Sequence, residues 1–258
     1  MSGASESRAG GASYLDRQGR GGLTSWILST DHKRIGLLYL ASMLTMFSVA
    51  VLFGVLMRLE HLTMGRTLMS AATYNALFTL HGVIMIFMFV VPGLPAVFGN
   101  FLLPILIGAR DVSFPRLNLA SWYFFMSGIL LAVASLFTGA GAPDTGWTFY
   151  VPYSLKTGTN VSLAVLAAFV LGMSSILTGI NFITTIHRLR APGMLWHRLP
   201  LFVWGLYATA WIQVIVTPII GITLLLVALE RLVGIGVFDP TKGGDPVLYQ
   251  HLFWFFGH

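Results

Sequence analysis

The sequence predicts an all-α fold, a polytopic bundle of transmembrane helices, and three observations carry that prediction. Of its 258 residues, 56% are hydrophobic and only 9% are charged, where a soluble domain holds about a quarter charged residues. Five uncharged runs are each long enough to cross a hydrocarbon core, which takes roughly 20 residues of helix. The charges fall almost entirely in the short segments between those runs.

Residues 1–34 are polar and glycine-rich, lack the apolar stretch of a signal peptide, and are expected to form a disordered cytoplasmic tail. Residues 35–258 are then a membrane domain of five complete helices and the start of a sixth. The first run, 35–57, ends just before Arg58. The second, 74–108, lies in a stretch from Thr67 to Ala109 without Asp, Glu, Lys or Arg, and it holds His81. A third covers 117–139, a fourth 161–186 and a fifth 199–229; a sixth begins near Pro246 and reaches His258. No internal repeat is visible, and there is no cysteine. Disulfides, thioether-bound haem and thiolate metal sites are therefore excluded, leaving His, Met and carboxylate as ligands.

Charge orients the bundle. With the N-terminus inside, ten of the fifteen basic residues are cytoplasmic: Arg8, Arg17, Arg20, Lys33, Arg34, Arg110, Arg116, Arg188, Arg190 and Arg198. Arg58, Arg66, Lys156, Arg231 and Lys242 are outside, where five acidic residues balance them, so the whole formal charge of +6 lies on one face. This is the positive-inside pattern of a membrane protein. The basic balance thus reports topology, not binding to nucleic acid.

An ionisable side chain inside a bilayer is a functional-site hypothesis by default. His81 should sit roughly 10 Å below the outer end of its helix and His258 roughly 18 Å in, at 1.5 Å per residue. Imidazole suits iron and copper, so the two suggest metal ligands; each could instead be a histidine hydrogen-bonded between helices. Gly82 beside His81 would admit a flat macrocycle. His251 shares nearly the same helical face as His258 and is expected to be structural, while Trp254 could pack on the His258 ring. His32, His61, His187 and His197 fall at helix ends or in loops, where solvated or interfacial roles are expected.

The fourth run places Ser174, Thr178, Asn181 and Thr185 on one face, with Ser175 beside it. Such a face packs helices through small and hydroxyl groups, or walls a water-filled proton path. Asp111 on the inner loop could collect protons, with Asn100 and Asn118 flanking it in sequence. Arg58 could snorkel to the interface, and Trp147 could anchor it.

Several motifs resemble subunit I of the haem-copper terminal oxidases. They are Ser29-Thr-Asp-His-Lys33, Leu80-His81-Gly-Val-Ile-Met-Ile-Phe87, Ile107-Gly-Ala-Arg-Asp111 with Phe114-Pro-Arg-Leu-Asn118, and Asp144-Thr-Gly-Trp147. Gly172 to Thr185 and Gln250 to His258 complete the set, and the match runs in family order from Ser29 to His258, the N-terminal part of such a subunit. The resemblance implies that His81 is an axial ligand of a low-spin haem, expected to be haem a, that Arg58 meets a substituent of that haem and Trp147 its propionates, and that His258 binds copper. It implies an aspartate-gated proton channel at Asp111, Asn100, Asn118, Ser174, Ser175 and Asn181. Asn118 is followed by Leu119 where many relatives carry a second asparagine.

Implied too are reduction of oxygen to water, proton pumping, and a high-spin haem held mostly by later helices. Those helices would also supply the remaining ligands, and the family's channel-top glutamate would follow His258, so residues 1–258 alone are expected to be haem-poor and inactive. The expected partners are the rest of subunit I, subunits II and III, oxygen, and cytochrome c or quinol, in a bacterial-type inner membrane. Thr73, where quinol-oxidising relatives often carry histidine, leans toward cytochrome c. From a different class, a proton-coupled secondary transporter could use Asp111 and the polar face; absence of haem bands would mark it.

Overall fold

The computed structural model describes residues 22–65, 67–138 and 141–258. Residues 1–21, the greater part of the expected tail, and Arg66 lie outside them. Five helices are long and apolar enough to cross a membrane: α1 (His32–Glu60), α2 (Ala71–Ile107), α3 (Pro115–Phe137), α4 (Val161–Arg188) and α5 (Leu201–Val233). A shorter sixth, α6, covers Pro246–Gly257. No strand occurs among the described residues.

The ends follow from local chemistry. Asp31 caps α1 by accepting the Lys33 N–H at 2.8 Å, and Ser70 caps α2 through the Thr73 N–H at 3.1 Å. Pro115 and Pro246 occupy the first turns of α3 and α6, where a missing N–H costs nothing. Gly108 closes α2 and Gly234 closes α5 in the left-handed conformation that glycine takes without strain.

The expected tail needs correction over its last part. Leu23–Ile27 forms a one-turn helix, and His32, Lys33 and Arg34 are buried in the first turn of α1. The Asp31 cap starts the helix ahead of the uncharged run. Arg34 stacks 5.1 Å from the centre of the Trp26 ring, and Tyr123 donates to the Ile27 carbonyl at 2.7 Å. Aromatic anchors thus hold a segment that polarity alone would leave loose.

α4 packs most extensively, between α3 and α5. Glycine permits both approaches: a Cβ at Gly128 would lie 2.6 Å from Leu171 Cγ, and one at Gly179 2.8 Å from the Ala210 carbonyl oxygen. α2 packs on α1 and is continuous, but widens to π geometry over Ile84–Val90 and Gly93–Gly99. Pro92, between the two, has no N–H and would crowd the carbonyl one turn earlier, so the ladder shifts around it. Most of the apolar outer surface stays uncovered: from 17% to 50% of each spanning window is buried.

Candidate redox and proton-transfer site

His81 projects from α2 against α1, its Nδ1 2.8 Å from the Ala50 carbonyl oxygen. A carbonyl only accepts, so Nδ1 carries the proton and the Nε2 lone pair is left for a metal. Room for the ring comes from Gly54, where a Cβ would lie 3.2 Å from His81 Cε1. Gly82, expected to admit a macrocycle, instead faces Trp147, whose Cβ and Cδ1 would lie 2.8 Å from a Cβ there. Gly82 thus seats Trp147, while Gly54, distant in sequence, borders the imidazole.

Trp147 belongs to a connection folded over this end of the bundle. The Gly146 N–H donates to Thr79 Oγ1 at 2.8 Å, tying the connection to α2 just before His81. On its other side Tyr249 of α6 donates to the Thr148 carbonyl at 2.6 Å, and Trp254 Nε1 donates to the Tyr150 hydroxyl. The Trp147 ring lies 5.6 Å from Phe253 and 5.9 Å from Trp254. Deeper, Phe87 and Phe256 stack at 6.4 Å, so the helices bearing His81 and His258 share one aromatic seam. Trp254 joins that seam and bonds to Tyr150.

Arg231 and Asp144 hold the connection in place. The Arg231 guanidinium donates to the carbonyls of Ser154 (2.5 Å), Thr157 (3.1 Å) and Thr159 (2.9 Å), and its Nε to Ser162 Oγ (3.1 Å). Asp144 accepts from Tyr153, Thr157 and Thr159 at 2.7, 3.1 and 2.9 Å. Burial raises the Asp144 pKa, but hydrogen bonds from Tyr153, Thr159 and Thr157 outweigh it and hold the carboxyl below its ordinary value.

At the opposite end, Asp111 is half-buried and its Oδ1 accepts the Val112 N–H at 2.7 Å. Its loop is clamped to α4: the Ser113 N–H donates to Thr185 Oγ1 at 2.9 Å, and Asn181 exchanges two bonds with the Phe114 backbone, at 2.9 and 3.2 Å. Inward, Asn118 Nδ2 donates to Asn100 Oδ1 at 2.6 Å, while Asn118 Oδ1 is enclosed without a partner. Tyr39 comes next, its hydroxyl 3.0 Å from Ser121 Oγ and 2.9 Å from Ser174 Oγ. Ser175 lines a narrow cavity with Phe87, Gly172, Thr217 and Phe256. Polar groups therefore run from the Asp111 loop toward the His258 helix.

Sequence reasoning missed Tyr39, Ser121, Gly54 and the Ala50 carbonyl. Tyr39 left a usable signal, since a tyrosine inside an apolar run needs a partner for its hydroxyl; a helical carbonyl accepting a second bond leaves none. His32 is also corrected: expected at a solvated end, it is buried, with Nδ1 2.5 Å from the Asn100 carbonyl oxygen. His61, His187, His197 and His251 are exposed, as are Arg58 and His258. Among the described residues no three His, Cys, Asp or Glu side chains gather as a metal site.

Residues 34–258 match the family model described as cytochrome c and quinol oxidase polypeptide I. The chain is 38% identical over 271 residues to cytochrome c oxidase subunit 1 of Cereibacter sphaeroides, covering 93% of this chain and 48% of that protein. To the proteins of the same name from Thermostichus vulcanus and Synechocystis sp. it is 43% and 42% identical, covering 89% and 88% of this chain and 42% and 41% of those relatives. It spans less than half the length of each.

Proposed function

Because this chain belongs to the cytochrome c and quinol oxidase polypeptide I family, we propose that it contributes a haem ligand, a copper ligand and a proton-uptake path to an oxygen-reducing respiratory oxidase. Haem and copper, when bound, supply electron transfer and the reduction of oxygen to water. The chain's own residues bind, orient and pass protons. His81 would hold the haem iron through Nε2, with its tautomer and ring plane fixed by the Ala50 carbonyl. His258, on the helix that shares the aromatic seam, would hold copper. Trp147 and Arg58 lie at the same end of the bundle as His81 and would contact the haem that His81 holds.

Asp111 takes protons at the other end. Asn100, Asn118, Ser174, Ser175 and Asn181 continue the path, joined by Tyr39 and Ser121. The orphaned Asn118 Oδ1 is an acceptor available to a mobile proton carrier. Asn181 acts differently from the rest, fixing the loop that bears Asp111. In this reading the N-terminus is cytoplasmic in a bacterial-type cell membrane, protons enter from that side and are pumped outward, and partner subunits II and III complete the assembly. The names of the relatives favour cytochrome c as electron donor.

The observation that carries the reading is the His81 imidazole, held at Nδ1 and left open at Nε2. In the complete enzyme His81→Ala should abolish the low-spin haem band and electron entry to the oxygen site, with other cofactors retained. An unchanged low-spin spectrum would overturn the assignment.

A further inference from the structure

The last turn of α4 and the connection to α5 carry Arg188, Arg190 and Arg198 with His187 and His197, and no acidic residue lies between Asp144 and Glu230. Arg190 sets its guanidinium over the Trp196 ring, 3.9 Å from the centroid, and its Nη1 is enclosed with no hydrogen-bond acceptor. Arg188 and Arg198 are exposed. The connection is not loose: the Ala191 N–H donates to the Ile107 carbonyl at 2.9 Å, and His187 Nε2 lies 2.8 Å from the Tyr207 hydroxyl.

From this corner a wall of rings descends α5. Trp196 lies 5.6 Å from Trp204 and 5.4 Å from Tyr207, and Tyr207 lies 6.2 Å from Trp211. Trp204 and Trp211 stay 40% and 41% exposed. Cationic groups at the helix end and flat apolar rings running into the spanning region match the two parts of one molecule: a phosphate head and an acyl chain.

We infer that the Arg188–Arg198 connection and the adjoining face of α5 bind an anionic phospholipid. The head group lies against Arg188, Arg198 and the partly buried Arg190, and one acyl chain lies along Trp204 and Trp211. Arg190 fits because stacking on Trp196 fixes its guanidinium plane and keeps its charge at the corner where Arg188 and Arg198 are exposed to a phosphate. The clamped connection keeps ordering costs low. Soluble phosphate would use the arginines alone and leave the ring wall uncovered.

The test uses the whole membrane complex, purified with its partner chains and placed in nanodiscs of phosphatidylcholine with a minor fraction of phosphatidylglycerol. Native mass spectrometry should find phosphatidylglycerol retained in preference to phosphatidylcholine. The double variant Arg188→Gln/Arg198→Gln, both positions being exposed, should reduce that preference about thirtyfold, at roughly one kcal/mol for each basic residue near the head group. Arg116→Gln, at the same membrane end but away from the ring wall, should leave it unchanged. No preference for the anionic lipid in the wild-type complex, equal retention by the double variant, an equal loss with Arg116→Gln, or displacement of the lipid by inorganic phosphate would each overturn the inference.

Discussion

At the scale of single residues, the contact between Gly54 and His81 decides how the imidazole is held. A side chain at Gly54 would begin 3.2 Å from His81 Cε1, closer than an undisturbed ring tolerates. Gly54→Val in the complete oxidase should therefore rotate the ring away from the Ala50 carbonyl, shift the low-spin haem band and lower haem retention about tenfold, the usual effect of losing a ligand's outer hydrogen bond. Optical spectra and haem quantification check this, and a wild-type spectrum with full haem content would show that the contact has no bearing on ligation. His81 itself was legible in the sequence because a titratable residue in a charge-free run stands out. Gly54 was not, since its relevance lies in which turn of α1 meets which turn of α2.

At the scale of elements, the connection over the Trp147 end behaves as a part with its own fastenings. Arg231→Gln removes charged donors from three carbonyls and should cost about 1.5–3 kcal/mol of local stability. Asp144 adds a pH dependence. Its carboxyl is held below the ordinary value, so its contribution is complete above the ordinary carboxylate range and is lost as pH falls through the depressed value. Thermal unfolding followed across acid pH should show that loss in the wild type and not in Asp144→Asn; parallel curves would remove Asp144 from the account. The five spans were readable because uninterrupted apolarity marks a spanning helix directly. The start of α1 was displaced by a cap and by stacking on Trp26, and the π segments of α2 were missed because composition does not record hydrogen-bond phase. Within the polar stripe, spacing placed Ser174 and Asn181 on one face, but only packing shows Ser174 meeting Tyr39 while Asn181 grips the Phe114 backbone.

At the scale of the molecule, His81 and Asp111 lie at opposite ends of one bundle, with polar groups from the Asp111 loop reaching toward the His258 helix. A vectorial reaction requires that separation. In the complete enzyme Asp111→Asn should preserve haem content, slow turnover and abolish proton ejection, because the amide matches the carboxyl in size and cannot titrate. Reconstituted vesicles with wild-type ejection would rule the role out. The cap over the Trp147 end also has a consequence in time. A ribosome releases this chain N-terminus first, so α2 and the connection bearing Trp147 emerge before α6. The bond from Gly146 to Thr79, and the seat of Trp147 on Gly82, involve only residues already made when Tyr249, Phe253 and Trp254 appear. α6 therefore arrives at a surface whose rings and acceptors are already synthesised, and the order of translation is also a workable order of assembly for the two histidine-bearing helices.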